Sequence, residues 1–185
     1  MLQKIEYVDD VFDLLWSTEM AHKLVKAPWY PNNTANRKGW PYFEKGSHTF
    51  FGKLFFKKYN PYDIQYDPHD KELNFTLINA FGHILKYFKI NANLTTIDGN
   101  LQFKGMDGSI HTDGPDNQVV FILMLCSQDL PDKVGGEFIH LPSKKKISFK
   151  HGRLIKMKAS DPHYAKAFNK PNFSRISIKW TGDLI

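Results

Sequence analysis

Apolar residues follow two different spacings, one in each half of the chain. In the first half they recur mostly at steps of three and four over 73–88, which predicts one helix with a single apolar stripe. Asp67 is the candidate N-cap of this helix, and Pro68 suits its first turn. Ahead of it, the apolar positions of residues 1–26 are compatible with one or two short helices, and 49–56 is a candidate strand.

The stretch 28–43 is rich in aromatic residues, Pro and Asn without a regular period, so it is interpreted as a loop. Its aromatic side chains supply large flat surfaces. Loops of this kind either close over a binding site or pack against a sheet, and the sequence leaves both interpretations open.

The second half changes to short apolar runs separated by turn residues such as Asp98-Gly99-Asn100 and Gly135-Gly136. Their lengths and spacing make these runs candidate strands. They are 94–97, 101–104, 109–113, 119–126, 137–141, 146–149, 154–157 and 174–180. About eight short strands joined by tight turns predict a mainly β fold with flanking helices, a sandwich or jelly roll.

Length and composition are those of one globular unit. The 185 residues are enough for one well-filled core and few for two, and 42% apolar with 24% charged residues is ordinary for a soluble protein. The single cysteine, Cys126, lies in an apolar run and is expected to be buried and reduced. No signal-peptide pattern or membrane-length apolar run occurs, so a cytoplasmic location without membrane contact is expected.

The formal net charge of +6 favours anionic ligands, which include nucleic acid, a carboxylate cosubstrate and an acidic protein. Most of this charge is spread along the chain. The one tight run is Lys144-Lys145-Lys146. Its place between two apolar segments predicts a solvated hairpin turn rather than a phosphate-binding patch.

The candidate for chemistry is the triplet that begins at His111 and ends at Asp113. If this segment runs as a strand, the imidazole and the carboxylate project from the same face and can bind one ion. A second histidine from a distant strand would complete a set of two His and one carboxylate that leaves open positions on Fe(II). His163 is the first candidate for that ligand, and His140 and His151 are its rivals.

Five short motifs follow one another in the second half of the chain. They are His111-Thr112-Asp113, Gly135-Gly136-Glu137, Gly152-Arg153-Leu154, His163, and Arg175-x-Ser177 in a strand ending at Trp180. Their order and spacing resemble those of the 2-oxoglutarate- and Fe(II)-dependent dioxygenases, specifically the branch similar to prolyl 4-hydroxylase. The segment 106–113 is most similar to compact members of that family, including ones carried by phages.

The resemblance implies a double-stranded β-helix, which is a cupin-like jelly roll, in a single domain over 1–185. Its support region of helices and loops would be 1–92, and its β core with the motifs 93–185. The implied reaction converts 2-oxoglutarate and dioxygen to succinate and carbon dioxide while an unactivated C–H bond is hydroxylated. The implied cofactors are Fe(II), 2-oxoglutarate and dioxygen, with ascorbate as a reductant, and the expected location is the host cytoplasm if the chain is phage-encoded.

The resemblance also assigns residues. His111, Asp113 and His163 would bind Fe(II), because His163 stands where the family has its second His, shortly before the Arg-x-Ser strand. Arg175 would hold the far carboxylate of 2-oxoglutarate, since a guanidinium offers a planar fork of donors and stays charged when desolvated. Ser177, two residues along the same face, would add a hydroxyl donor.

Departures from the family pattern bear on the substrate. Prolyl hydroxylases usually carry a Tyr upstream of the first His, whereas this chain has Leu101-Gln102-Phe103, so Gln102 is predicted to supply a polar contact to the cosubstrate instead. The first hypothesis is a hydroxylase of a protein or peptide side chain, with prolyl residues the first guess. The alternatives are oxidative demethylation of nucleic acid, which the positive charge favours, and a non-catalytic jelly-roll binding module in which the motif is incidental.

Overall fold

A computed structural model of the chain describes residues 5–33 and 50–185. Within them lie eleven strands and two helices. The helices are α1 (Leu14–Lys26) and α2 (Lys71–Phe88). The strands are β1 (Glu6–Val8), β2 (Tyr30–Asn33), β3 (Phe50–Asn60), β4 (Asp63–Tyr66), β5 (Ala92–Gln102), β6 (Gln118–Leu125), β7 (Phe138–His140), β8 (Lys145–Ile147), β9 (Leu154–Lys158), β10 (His163–Ala165) and β11 (Arg175–Leu184).

The strands form two antiparallel sheets. The large sheet has the order β1-β9-β6-β11-β5-β3-β2, and β4 pairs with β3 off this path. The small sheet has the order β10-β7-β8. Most neighbours in the large sheet are distant in sequence, as they are in a jelly roll, so the predicted mainly β fold with flanking helices is confirmed.

Strand β6 lies between two cores, which explains its continuously apolar sequence. Phe121 and Leu123 belong to the large core cluster, which also holds residues of both helices. Val120 and Ile122, on the opposite face, belong to a second cluster with residues of the small sheet. A strand that is covered on both faces has an unbroken apolar sequence instead of an alternating one.

Helix α2 lies against the large sheet through the predicted apolar stripe, so the helix expected over 73–88 is confirmed. Leu73, Leu77, Phe81 and Ile84 are buried in the large core cluster. The indole Nε1 of Trp180 in β11 donates to the carbonyl oxygen of Leu77 at 2.8 Å, which ties the helix to a central strand. Among the described residues, no helix is both long and apolar enough to cross a bilayer.

The predicted N-cap at Asp67 is wrong, because Asp70 caps α2 and its Oδ1 accepts from the backbone N–H of Leu73 at 2.8 Å. Asp67 is buried, and its carboxylate forms an ion pair with Lys53 of β3 at 2.5 Å. Its carbonyl oxygen accepts from the side chain of Asn74 at 2.7 Å. A buried ammonium requires a carboxylate beside it, so Asp67 pairs with Lys53 and is not the N-cap. The helix begins after Asp70.

One long strand, β5, replaces the two short strands predicted on either side of Gly99. A Cβ at Gly99 would lie 2.9 Å from Cδ1 of Ile178 and 3.0 Å from Cε2 of Phe55, so a larger residue would have to displace these packed side chains. The Asp-Gly-Asn sequence is typical of turns, but here its glycine marks a close approach within a strand.

The N-terminal region contributes a strand as well as a helix. β1 pairs with β9 at the edge of the large sheet, and α1 is the one helix among the described residues of 1–26. Trp29, from the predicted aromatic loop, packs edge-on against Phe55 and donates to the carbonyl oxygen of Leu24 at 2.8 Å. Residues 30–33 of that stretch form β2, so the loop interpretation is wrong there. Residues 34–43 lie outside the described residues, so the role of the stretch as a clamp stays a prediction.

The lysine run lies where the hairpin was predicted. Residues 141–144 form the turn between β7 and β8, and Lys144 is exposed. Lys146 lies in β8 and pairs with Glu137 at 2.8 Å, with 63% of its side chain exposed. The interpretation as a solvated hairpin turn is therefore confirmed.

Removal of the Trp180 side chain is expected to destabilise the fold strongly. Trp180→Ala would leave a large cavity between β11 and α2, which is expected to lower the free energy of unfolding by about 3–5 kcal/mol. Phe75→Ala in α2 is the control. Phe75 is 69% exposed, so the free energy of unfolding is expected to change by no more than about 0.5 kcal/mol. Urea unfolding followed by circular dichroism measures both, and equal losses would contradict the role of Trp180 as an anchor.

Candidate metal centre

His111 and His163 are brought together by an antiparallel bridge between two segments that are distant in sequence. The N–H of His111 donates to the carbonyl oxygen of His163 at 3.1 Å, and the N–H of His163 donates to that of His111 at 3.0 Å. The predicted strand over 109–113 is wrong as a whole, since only His111 pairs in it. The bridge adds this residue to the edge of the small sheet beside β10.

The carboxylate of Asp113 lies between the two imidazoles. Its Oδ2 is 3.3 Å from Nε2 of His163, and its Oδ1 is 3.7 Å from Nε2 of His111. One potential ligand atom from each of the three residues lies within 4.8 Å of the others. Neighbouring ligands of an ion held at about 2.1 Å are about 3 Å apart, so the arrangement fits a single cation after small side-chain movements.

Each imidazole is oriented by a backbone carbonyl. Nδ1 of His111 lies 2.8 Å from the carbonyl oxygen of Ser109, and Nδ1 of His163 lies 2.9 Å from that of Asp161. A carbonyl oxygen only accepts, so both Nδ1 atoms carry the proton and both Nε2 atoms present a lone pair. This is the tautomer that a metal-binding histidine needs.

The protonation states of the site also suit a metal. Burial lowers the pKa of His111, and His163 lowers it further. Burial alone would raise the pKa of Asp113, but neighbouring positive charge, that of Lys179 first, holds that pKa below its ordinary value. A neutral imidazole and an ionised carboxylate are the forms that bind cations.

One oxygen of Asp113 has a partner and the other has none. Lys179 Nζ donates to Oδ1 at 2.7 Å. Oδ2 is buried and has no hydrogen-bond partner among the described residues. A buried carboxylate oxygen without a donor costs free energy, and a cation at this position would satisfy it. The donor set and the unpartnered oxygen therefore fit a divalent metal ion.

Lys179 was not predicted as a site residue. Its Nζ lies 3.4 Å from Oδ2 of Asp98 as well as 2.7 Å from Oδ1 of Asp113. Burial would lower the pKa of Lys179, but Asp113 and Asp98 outweigh burial and raise it. The sequence carried a signal, because the alternation that places Arg175 and Ser177 on one face of the last strand places Lys179 there too.

Arg175 is buried at the start of β11, with 1% of its surface exposed. Its Nη1 donates to Oε1 of Gln102 at 2.8 Å, and its Nε donates to the carbonyl oxygen of Gly136 at 3.3 Å. Its Nη2 has no partner within the described part of the chain. Burial lowers the pKa of Arg175 to about 10, so the guanidinium stays charged at neutral pH. A buried guanidinium with one nitrogen that lacks a hydrogen-bond partner is suited to bind a carboxylate.

Gln102 and Ser177 lie beside Arg175. Both ends of the Gln102 amide are engaged, since Oε1 accepts from Arg175 and Nε2 donates to the carbonyl oxygen of Met106 at 2.7 Å. Gln102 therefore holds the guanidinium, and its predicted contact with a cosubstrate stays a prediction. Ser177 is buried on the same strand between Arg175 and Lys179. Its role as a hydroxyl donor also stays a prediction.

The rival histidines have other partners. His140 is buried, with Nε2 3.0 Å from Oδ2 of Asp161 and Nδ1 2.7 Å from Oγ of Ser143. His151 accepts at Nδ1 from the N–H of Cys126 at 3.2 Å. Neither belongs to the group of potential metal ligands found in the described residues. Of the three candidates, only His163 meets the pair formed by His111 and Asp113.

Two spaces that share part of their lining adjoin the site. The inner cavity, about 40 Å³, is lined by the three candidate ligands together with Gln102, Arg175, Ser177 and Lys179. The outer cleft, about 850 Å³, runs over residues of β2, β3, β5 and β11. The two spaces share His111, Asp113 and Lys179, so the candidate metal position lies where they meet.

No protein-family model and no curated protein matches the sequence. Solved structures do match the fold. An oxidoreductase of the 2OG-Fe(II) oxygenase family from Burkholderia pseudomallei aligns with a TM-score of 0.72 at 16% identity, over 97% of this chain and 84% of that one. A viral collagen prolyl hydroxylase from Paramecium Bursaria Chlorella virus-1, in a 2OG complex, aligns with a TM-score of 0.63 at 18% identity, over 98% and 97%.

A third structure is a prolyl hydroxylase from Trichoplax adhaerens in complex with a peptide fragment of the hypoxia inducible factor oxygen degradation domain. It aligns with a TM-score of 0.65 at 12% identity, over 97% of this chain and 83% of that one. At such identities the likeness establishes the fold. The chain therefore has the fold of the 2OG-Fe(II) oxygenases, which is the double-stranded β-helix that the order of its motifs predicts.

The choice of His163 over His140 as the third ligand can be tested by metal binding. His163→Ala removes a direct ligand and is expected to weaken Mn(II) binding by at least about 100-fold. His140→Ala is the matched control, because the imidazole of His140 bonds to Asp161 and Ser143 and its backbone pairing with His163 does not need that side chain. A loss of no more than about tenfold is expected. Calorimetric titration of each metal-free variant measures both. A larger loss for His140→Ala than for His163→Ala would make the assignment wrong.

Proposed function

We propose that this protein is a 2-oxoglutarate- and Fe(II)-dependent dioxygenase that hydroxylates a protein or peptide side chain, with prolyl residues the first candidates. One observation carries the proposal: a buried, unpartnered carboxylate oxygen of Asp113 faces Nε2 of His163 in the cavity that Arg175 also lines. The residues needed for a metal and for a carboxylate cosubstrate thus share one cavity on this fold.

His111, Asp113 and His163 would hold the metal, with Lys179 fixing Oδ1 of Asp113 and leaving Oδ2 for the ion. Three protein ligands leave open positions on an Fe(II) ion, as its chemistry with two small molecules requires. When bound, Fe(II) would supply the oxidation in which 2-oxoglutarate and dioxygen give succinate, carbon dioxide and a hydroxylated substrate carbon.

Arg175 would bind the carboxylate of 2-oxoglutarate that lies away from the metal. Its guanidinium is already oriented by Gln102 and by the carbonyl oxygen of Gly136, so little freedom is lost when a ligand binds. Nη2 remains to donate to the ligand. A buried guanidinium binds a carboxylate more tightly than it would at the surface.

The outer cleft supports a polymeric substrate. Its volume of about 850 Å³ adjoins the candidate ligands, and its lining includes the exposed side chains of Tyr30, Lys58 and Tyr59. Two of the proteins with this fold are named as prolyl hydroxylases, and one of them is in complex with a peptide fragment. These observations favour a polypeptide that lies in the cleft with one side chain directed at the metal.

The two alternatives have less support. Demethylation of nucleic acid rests on the net charge of +6 and on lysines of the cleft such as Lys57 and Lys58. A non-catalytic binding module gives no reason for the buried, unpartnered atoms Asp113 Oδ2 and Arg175 Nη2. Leaving such an atom without a hydrogen-bond partner costs about 1–3 kcal/mol of stability. The single domain, the cytoplasmic location and the phage origin expected from the sequence stay predictions.

Succinate formation tests the proposed reaction. The native chain, given 2-oxoglutarate, Fe(II) and ascorbate, is expected to form succinate, and His111→Ala is expected to reduce the rate at least about 100-fold because a metal ligand is lost. His69→Ala is the matched control, since His69 is exposed and lies outside both the cavity and the cleft. Equal rates for the native chain and His111→Ala would remove the enzymatic proposal.

Mass spectrometry separates the substrate classes. Proline-containing peptides incubated with the native enzyme are expected to gain the mass of one oxygen atom, and methylated oligonucleotides are expected to stay unchanged. The His111→Ala variant serves as the control for oxidation that does not depend on the enzyme. Loss of methyl groups from the oligonucleotides, with no oxygen gained by any peptide, would replace the peptide hydroxylase by the demethylase.

A further inference from the structure

Lys179 lies in a row of three charges at the candidate metal centre. Asp98 in β5 is its direct cross-strand partner, and the ammonium lies between the carboxylates of Asp98 and Asp113 at 3.4 Å and 2.7 Å. Burial raises the pKa of Asp98, and the neighbouring ammonium of Lys179 opposes this. With both carboxylates ionised, the three side chains carry one net negative charge. Cross-strand pairs of opposite charge are ordinary on exposed sheet faces, but this pair adjoins a cavity and a metal site.

The position of Lys179 in β11 places it beside any cosubstrate that Arg175 binds. Arg175, Ser177 and Lys179 are successive residues on one face of the strand, and all three line the inner cavity. Arg175 and Lys179 are the two cationic side chains in its described lining. A dicarboxylate in this cavity therefore meets a guanidinium at one end and an ammonium towards the other.

The size of the inner cavity points to the same region. Its volume of about 40 Å³ has room for a few water molecules at most. A five-carbon dicarboxylate needs more space, so it would extend from Arg175 into the zone shared with the outer cleft. Lys179 lines both spaces and lies at that boundary.

We propose that Lys179 is the second cation of the cosubstrate site, and that its charge strengthens binding of the dicarboxylate while it weakens binding of the divalent metal. This inference rests on the proposed function. The physical reason is that an ammonium a few ångströms from both ligands attracts an anion and repels a cation. Asp98 counters that charge, so the pair sets the balance between the two affinities.

A purely positioning role for Lys179 predicts something different. If the ammonium only held Asp113 in place, its removal would disorder a metal ligand, and metal and cosubstrate would both bind more weakly. If its charge matters as proposed, removal would shift the two affinities in opposite directions. The sign of the change in metal affinity therefore separates the two roles.

A charge series built on Lys179 and Asp98 tests this inference. Lys179→Met gives the row two negative charges, Asp98→Asn gives it none, and the double variant restores the single negative charge of the native chain. Calorimetric titrations would measure the dissociation constant of Mn(II) without cosubstrate and that of 2-oxoglutarate at saturating Mn(II). Lys179→Arg keeps the charge and serves as the conservative control.

Lys179→Met is expected to bind Mn(II) at least about tenfold more tightly and 2-oxoglutarate at least about tenfold more weakly. The reason is that the Coulomb energy of one charge a few ångströms from a ligand corresponds to more than about a tenfold change in affinity, even with moderate screening. Asp98→Asn is expected to shift both constants the opposite way. The double variant is expected to return both constants towards the native values. Lys179→Arg, which keeps the charge, is expected to lie closer to the native values than Lys179→Met.

Weaker binding of both ligands by Lys179→Met, without recovery in the double variant, would overturn the inference in favour of a positioning role. Unchanged constants throughout the series would overturn it as well. Asp98→Asn keeps the pairing of Lys179 with Asp113, so its opposite shifts test the charge effect even if Lys179→Met does not fold. If the native chain binds Mn(II) but not 2-oxoglutarate, the proposed function itself fails. If the native chain binds both ligands and the variants bind them equally well, only the inference about Lys179 fails.

Discussion

The reciprocal backbone hydrogen bonds between His111 and His163 fix the geometry on which the whole site depends. Because the two segments pair antiparallel, both imidazoles lie on the same side of the bridge, with ring centroids 4.5 Å apart. Two more bonds continue the contact, as the N–H groups of Asp113 and Gly114 donate to the carbonyl oxygen of Ala159 at 2.8 Å and 3.1 Å. All three proposed ligands are thus placed by main-chain bonds and not by flexible side chains alone.

The register of β11 links this site to the core. Ile176, Ile178 and Trp180 are buried in the large core cluster, whereas the alternate residues Arg175 and Lys179 line the inner cavity. A slip of one residue would exchange the two sets, placing charges in the core and an indole in the cavity. The cost of that exchange keeps the strand in register, so the packing of helix α2 on Trp180 also positions the cations of the site.

Much of the fold was predictable because its signals are local. The apolar run of β6 and the stripe of α2 each span enough residues to define their period. The short strand β10 has three residues, too few for a period, and it exists because His163 pairs with both His111 and His140. The turn predicted at Gly99 is wrong for a related reason: the residues next to Gly99 in the sequence do not show that side chains from other strands pack closely against it.

The site divides in the same way between what is local and what is not. The spacing of His111 and Asp113, and the alternation that sets Lys179 beside Arg175, are properties of single segments. The pairing of Lys179 with Asp98 comes from the register between β11 and β5, which no single segment encodes. Among the buried side-chain atoms of the described chain that lack a hydrogen-bond partner, Oδ2 of Asp113 and Nη2 of Arg175 belong to residues of one cavity. Since such atoms are costly in a core, their presence together supports the proposal that a cation binds at the first and an anion at the second.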